Sequence, residues 1–335
     1  MASLLAPGEK IRCWRIVRYL KGSNALSYVA EFCPAAAAAE TKRLRDRLLR
    51  RVGEFDPDKD KVFLKQFNDP SYRDGILKPF VEYQDKIHKK VKACWKECNC
   101  FCRELDSFIF DEPRPGKRGY YQVQEYYPDC KSVKDCLEKD DGKGKDALSW
   151  TERLTHAKMM TYGLMLLHAS GVVHADLKPD NLLIVANRRA DGGLNEVPTA
   201  LRIIDFDSSL LTDELSPRHR LSADPDKYRY RGTEQYLSPE HFGGKVPGPA
   251  SDVFTAAIIL CEMLSPDGHP FPYAHEEYRD AVKKGKCNLK KLRCGTCQAT
   301  VGVIKACFAM KPGDRPTAAQ LLRELKNLPD RKSVV

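Results

Sequence analysis

Apolar positions follow two rhythms along this chain, and the rhythm changes near its middle. Residues 12–33 are rich in strand formers (Trp14, Ile16, Val17 and Tyr19, then Tyr28, Val29 and Phe32) on either side of a polar turn at 21–24, which predicts a pair of strands. Residues 62–67 (VFLKQF) predict a third strand. The stretch between them is too long for a hairpin loop. Its alanine run at 35–39 leads into Leu44, Leu48 and Val52 at four-residue spacing, which predicts an inserted helix over about 35–55. A helix is predicted over 76–97, with Phe80, Ile87, Val91 and Trp95 among its apolar positions, followed by strands at 104–110 and 119–126. Beyond these the helical rhythm takes over. Residues 150–170 place Leu154, Ala157, Met160, Leu164 and Leu167 on one face. Strands at 182–185 and 201–204 bracket an insert at 186–199, and 208–232 read as a polar segment. Helical patterns recur at 251–264, 276–284, 299–309 and 317–325.

Strands with one helix first, and helices afterwards, predict an α+β fold: a small β-rich lobe packed on a larger helical one. Composition agrees with a globular chain. Of 335 residues, 42% are hydrophobic and 30% charged. No run approaches the roughly 18 apolar residues of a membrane span, and residues 1–10 are too short and weakly apolar for a secretion signal, so a cytoplasmic location is expected. On that basis the 13 cysteines are expected as thiols rather than disulfides. Two groups, Cys98/Cys100/Cys102 and Cys294/Cys297, leave a structural zinc open, but neither has a second pair at zinc-ribbon spacing. The net charge of +10, from 56 basic and 46 acidic residues, favours anionic partners, ATP and acidic protein substrates among them. Nucleic acid is not indicated beyond that basic charge. Basic residues crowd at 42–51, where a solvated face is the simpler reading, and at 218–231.

The chemistry concentrates at residues 174–181, HADLKPDN, and at Asp205-Phe206-Asp207 behind the apolar run 201–204. An aspartate able to take a hydroxyl proton, a lysine able to hold a phosphate, and an asparagine with a second aspartate able to hold magnesium form a phosphoryl-transfer set. These motifs resemble the catalytic loop and metal-binding turn of Hanks-type (eukaryotic-type) Ser/Thr protein kinases. The resemblance runs over roughly residues 12–328. It implies a two-lobed kinase fold, with the small lobe at 12–126, the large lobe at 127–328 and a short tail at 329–335.

The resemblance also assigns roles. Asp176 is the catalytic base, Lys178 contacts the transferring phosphate, and Asn181 and Asp205 ligate Mg2+. Lys65, in VFLK, pairs the α- and β-phosphates of ATP, with Glu82 as its expected carboxylate partner and Asp85 or Glu97 as alternatives. The glycine-rich loop falls on Gly22, Asn24 and Ser27 ahead of Val29, and only its first glycine is retained. Glu125 and Tyr127 supply backbone groups to adenine, with Gln124 at the gatekeeper position. Residues 232–240 (GTEQYLSPE) resemble the end of an activation segment. Glu240 is expected to pair with Arg315, and Asp252 to anchor the catalytic loop.

Two departures matter. Ala175 stands where the family carries arginine, which removes a counter-ion for phosphate at Ser216, Ser222 or Thr233 and implies activity independent of activation-loop phosphorylation; Arg218, Arg220, Arg229 and Arg231 are possible substitutes. Asp207 stands where the family carries glycine, either as an added metal ligand or as a solvated side chain. The expected activity is transfer of the ATP γ-phosphate to Ser/Thr hydroxyls of proteins. A non-catalytic scaffold and a small-molecule kinase are its rivals.

Overall fold

The computed structural model describes residues 4–20, 25–33, 44–45, 60–67, 76–111, 118–138, 148–188, 194–220, 222, 230, 232–265, 268–289 and 298–328. They divide into two compact units, one of residues 1–83 with 102–128, the other of residues 84–101 with 129–335.

The first unit is built on a six-stranded antiparallel sheet. Its strands are β1 (Lys10–Ile11), β2 (Trp14–Leu20), β3 (Ala25–Phe32), β4 (Lys61–Phe67), β5 (Glu104–Asp111) and β6 (Arg118–Glu125), in the spatial order β1-β2-β3-β4-β6-β5. Alternation fixes the register, since a one-residue slip would turn the whole apolar set to the wrong face. Trp14, Ile16, Tyr28, Val62, Leu64, Tyr121 and Val123 form one buried cluster. Leu44 joins that cluster. It and Arg45 are helical, while the rest of the expected helix over 35–55 lies outside the described residues, as do Gly22 and Asn24. Ser27, expected in the glycine-rich loop, sits inside β3 instead, buried and directly across from Lys65 of β4.

Helix α1 (Leu77–Cys94) follows β4, and the division between the units falls inside it, after Tyr83. Residues 84–101 go with the helical unit because they bond to it: Lys90 Nζ donates to the Ser170 carbonyl at 2.9 Å, and the Ile203 N–H donates to the Cys100 carbonyl at 2.7 Å.

The second unit contains the remaining elements. After β7 (Lys131–Ser132) and α2 (Val133–Glu138) comes α3 (Trp150–Ala169). A capping box starts α3: Ser149 Oγ accepts from the Glu152 N–H while Glu152 accepts from the Ser149 N–H. Gly171, at φ +78°, ends it in the left-handed conformation and turns the chain into β8 (Val172–Val173). Helix α4 (Pro217–Arg220) lies in the polar segment, and α5 (Pro239–Phe242) follows it. Helix α6 (Pro249–Leu264) is buried continuously from Ser251 to Leu264, which fits its largely apolar sequence, with Asp252 and Glu262 as buried carboxylates. Helices α7 (His275–Lys283), α8 (Gln298–Cys307) and α9 (Ala318–Lys326) complete the helical set.

The insert expected at 186–199 is largely strand. Strand β9 runs from Leu182 to Arg188 and β10 from Leu194 to Ile203, with a register shift between Leu194 and Thr199. Pro198 is tolerated because β10 is the edge of the β10-β9-β7 sheet. A further short strand, β11 (Leu210–Leu211), pairs with β8. No helix among the described residues is long and apolar enough to cross a membrane.

Candidate active site

The loop after β8 is held from below by one buried carboxylate. Asp252 lies in the first turn of α6, where the helix dipole favours a negative charge. Its Oδ2 accepts from the His174 N–H at 2.7 Å and its Oδ1 from the Ala175 N–H at 2.9 Å. His168 Nε2 donates to the same carboxylate at 3.0 Å. Burial alone would raise the Asp252 pKa, but the His168 hydrogen bond and charge, with the backbone donors, bring it below the usual carboxylate value. Ala175 sits at φ +64°, a conformation these two anchoring amides help to impose. His174 is fully buried; its Nε2 donates to the Ile204 carbonyl at 3.0 Å and its Nδ1 accepts from the Asp176 N–H at 3.4 Å. The loop is thereby tied to the strand that leads into Asp205.

Above this anchor stand the two residues expected to do the chemistry. Lys178 Nζ lies 3.2 Å from Asp176 Oδ2 and donates to Thr233 Oγ1 at 2.8 Å. Asp176 Oδ1 accepts from the Thr233 N–H at 3.0 Å and from its hydroxyl at 3.3 Å. The sequence marks Thr233 as a phosphorylation candidate and as part of the 232–240 segment, but its contact with Asp176 arises only in the fold. Gly232 precedes Thr233: a Cβ at this position would meet Leu237 Cδ2 at 2.6 Å, so a larger residue would have to displace that side chain.

Asn181 is buried, and its Nδ2 donates to the Asp176 carbonyl at 2.8 Å. That bond orients the amide and leaves Oδ1 as a hard oxygen donor. Its backbone carbonyl accepts from the Ile204 N–H at 3.0 Å, so Asn181 and Asp205 are neighbours through one main-chain bond. Asp205 itself takes a left-handed backbone, φ 66° and ψ 69°. One amide and one carboxylate fit a cation that completes its shell with water and phosphate oxygens. The Asp207 carbonyl accepts from Gln84 Nε2 of α1 at 3.2 Å.

The segment that closes the site is fixed by a bidentate ion pair. Arg315 Nη1 and Nη2 each donate to a Glu240 oxygen at 2.7 Å, and Ser251 Oγ donates to Glu240 at 2.8 Å. Burial would raise the Glu240 pKa, yet the Arg315 hydrogen bonds and charge lower it. Nearby, Glu262 of α6 accepts from the hydroxyls of Tyr236 at 3.0 Å and Tyr273 at 3.1 Å. Burial pushes Glu262 up to about 7 against those two bonds. A cavity of about 200 Å³ opens beside it, with Pro179 of the catalytic loop in its wall.

In the first unit, Lys65 is half-buried, with Ser27 and Gln122 as its cross-strand neighbours and its Nζ 5.4 Å from the centre of the Phe67 ring. Val29 is buried one position further along the β3 face. Glu82 is exposed on α1, and among the described residues no ion pair joins it to Lys65; Asp85 is half-buried. At the end of β6 the Glu125 N–H donates to the Arg103 carbonyl at 3.0 Å, and Tyr127 Oη donates to the Glu125 carboxylate at 2.6 Å. The Cys98, Cys100 and Cys102 group yields no metal site: among the described residues no three His, Cys, Asp or Glu side chains gather as a ligand set. Cys294 and Cys297 lie outside the described residues.

Known proteins resemble this chain over part of its length. The protein kinase domain family matches residues 108–325, which include Asp176, Lys178, Asn181, Asp205, Glu240 and Arg315 but not Lys65. Striated muscle preferentially expressed protein kinase of Danio rerio is 29% identical over 156 residues, 46% of this chain and 5% of that protein. Probable serine/threonine protein kinase IRE4 of Arabidopsis thaliana is 36% identical over 108 residues, 29% of this chain and 10% of that protein. Serine/threonine-protein kinase PkaA of Streptomyces coelicolor is 29% identical over 161 residues, 48% of this chain and 26% of that protein. The chain therefore spans about a quarter or less of the length of these relatives.

Proposed function

The chain belongs to the protein kinase family, in its Ser/Thr branch, and from that premise we propose that it transfers the γ-phosphate of ATP to Ser and Thr hydroxyls of protein substrates. One observation carries the reading. The Thr233 hydroxyl donates a hydrogen bond to Asp176 and accepts one from Lys178. An attacking alcohol needs the same two contacts: a carboxylate for its departing proton, and a cation beside the oxygen that meets the phosphoryl group.

Asp176 orients the substrate hydroxyl and receives its proton. Lys178 offsets charge on the phosphoryl oxygens as the bond to the leaving oxygen lengthens. Asn181 Oδ1 and the Asp205 carboxylate would hold Mg2+, which neutralises phosphate charge when bound. Lys65 would hold the α- and β-phosphates, and the backbones of Glu125 and Tyr127 the adenine. Positioning and electrostatics then account for most of the rate.

Independence from activation-loop phosphorylation gains support from two positions. A phosphate on Thr233 would set a dianion against Asp176. Ser216 is buried, and its Oγ accepts from the His219 N–H at 3.3 Å, capping α4. A preference for acidic targets gains none, because Glu214 already pairs with Lys86 at 2.6 Å and with Arg220 at 3.8 Å.

The test is transfer of label from ATP, with Mg2+ and a generic protein acceptor, by the wild type and by Asp176→Asn. The variant should lose about 10²- to 10⁴-fold in rate. ATP binding without transfer in the wild type would replace the enzyme with a scaffold. Label confined to small metabolites would replace the protein acceptor. Phosphatase treatment should leave the wild-type rate unchanged.

A further inference from the structure

Within the helical unit a concavity of about 740 Å³ opens between the C-terminal end of α3 and the starts of α6 and α9. Its wall is mostly apolar: Met165 of α3, Val246, Val253 of α6, Pro312, Pro316 and Ala318 of α9. Protein interiors rarely leave a space larger than a water molecule, and this volume falls in the range of roughly 300–1,000 Å³ typical of small-molecule sites. Asp176, Lys178, Asn181 and Asp205 are not among its lining residues, so the proposed phosphotransfer does not use it.

The wall itself narrows what can sit there. Four polar side chains border it, His168, Glu240, Arg315 and Thr317, and each is already engaged inside the chain. His168 holds Asp252 at 3.0 Å, Arg315 and Glu240 share two bonds of 2.7 Å, and Thr317 Oγ1 caps α9 by accepting from the Gln320 N–H at 3.3 Å. A peptide laid against such a wall would bury N–H and C=O groups without partners, which costs free energy for each group. Among the described residues no Phe, Tyr or Trp lines the concavity, so a flat aromatic ligand gains no stacking. An aliphatic chain asks only for apolar surface. At one edge stand Thr317, Ala318 and Ala319. The amides of Ala318 and Ala319 lie in the first turn of α9, where no carbonyl stands one turn back to accept from them. That turn carries no acidic side chain, so the positive end of its dipole is left for an anion.

We infer that this concavity is a binding site for a fatty acid, with the aliphatic chain against Met165, Val246 and Val253 and the carboxylate at the start of α9. Val246, 45% exposed, marks the side from which the chain enters, and the buried Val253 marks the depth it reaches. Glu240 and Arg315 share the wall, so the bound chain shields from water the ion pair that fixes the 232–240 segment.

The experiment titrates the full chain with dodecanoate below its micelle concentration, followed by calorimetry and urea unfolding. One equivalent should bind, and the urea midpoint should rise with dodecanoate, because only the folded state offers the concavity. Shortening the probe from dodecanoate to octanoate should weaken binding by up to about fourfold for each methylene removed. Dodecylamine, with a cationic head, should bind several-fold more weakly. Val246→Asp, at an exposed position outside the core, should weaken dodecanoate binding by setting a like charge at the entrance. In the wild type, a photoactivatable dodecanoate should crosslink to peptides carrying Val246, Val253 or Ala318. The proposal is overturned if dodecanoate shows no saturable binding, or if dodecylamine binds as tightly. It is equally overturned if the crosslink maps elsewhere, or if an apolar peptide binds while dodecanoate does not. The wild-type measurements stand whether or not the variant folds, and none of them reads phosphotransfer.

Discussion

Around Lys65 the fixing forces are strand register and apolar packing; around Asp176 they are buried charges and hydrogen bonds. Lys65 stands between Ser27 and Gln122 on a sheet whose buried face is Trp14, Tyr28, Leu64 and Tyr121. No single side chain carries that arrangement, because many apolar contacts share the burial. Asp176 depends instead on a few polar groups drawn from distant positions: Asp252 beneath the loop, Thr233 above it, and the Glu240–Arg315 pair behind the segment that delivers Thr233. Buried polar groups of this kind are stable while fully partnered and costly when one partner goes. The sheet should therefore tolerate replacement better than the loop's supports do.

The largest test of that contrast compares Arg315→Met with Leu64→Met. Arg315→Met leaves the Glu240 carboxylate, 7% exposed, without its cation, and should cost about 3–5 kcal/mol. Leu64→Met keeps volume in an equally buried place and should cost less than about 1.5 kcal/mol. Urea unfolding of the full chain measures both. The double variant Glu240→Leu/Arg315→Met should recover most of the loss, since an apolar pair no longer strands a charge. Equal costs for the two single variants would abolish the distinction between the regions.

Thr233 sharpens the comparison within the site. Thr233→Val keeps the shape but removes the oxygen shared by Asp176 and Lys178. Thr233→Ser retains it. On the proposed phosphotransfer, Val should lower kcat by roughly tenfold, corresponding to about 1.4 kcal/mol, while Ser stays within about threefold of the wild type. Equal rates for the two variants would leave Thr233 as a bystander.

The same contrast explains what the sequence reveals. Strand β4 and helix α3 are legible because alternation and the 3.6-residue rhythm report burial directly. The catalytic loop is legible because Asp176, Lys178 and Asn181 are contiguous, so their chemistry survives without a fold. Thr233 is not, because its contact with Asp176 spans 57 positions. The hairpin of β9 and β10 is missed because Pro198 and the register shift break the alternation that marks a strand. Spacing alone does not say that Glu82 lies on the exposed side of α1.

Glu262 offers an effect on stability with a defined sign. Burial raises its pKa from an ordinary 4.5 to about 7 in the fold. Between those values the folded state binds more protons than the unfolded one, so stability falls as pH rises. The contribution is greatest below about pH 4.5 and is lost as pH passes about 7. Glu262→Gln cannot ionise, so its stability relative to the wild type should climb from pH 5 to pH 8 by about 2 kcal/mol. The buried histidines His156, His241 and His269 titrate in both proteins and cancel in the difference. A difference that stays flat with pH would mean that the two tyrosine hydroxyls outweigh burial.

The smallest effect concerns the backbone at the departure from the family pattern. Ala175 and Ala157 are both buried, but Ala175 sits at φ +64° while Ala157 lies inside α3. Replacement by glycine deletes the same methyl group at each. At Ala157 it should cost about 1 kcal/mol from helix propensity, plus the lost packing. At Ala175 the left-handed backbone already penalises a Cβ by about 1–2 kcal/mol, and relieving that penalty offsets the entropy that glycine adds to the unfolded chain. Ala175→Gly should therefore be at least about 1 kcal/mol less costly than Ala157→Gly. If the two variants unfold at the same urea concentration, the conformation at Ala175 is unstrained, and the amide anchors on Asp252 hold the catalytic loop without working against its backbone.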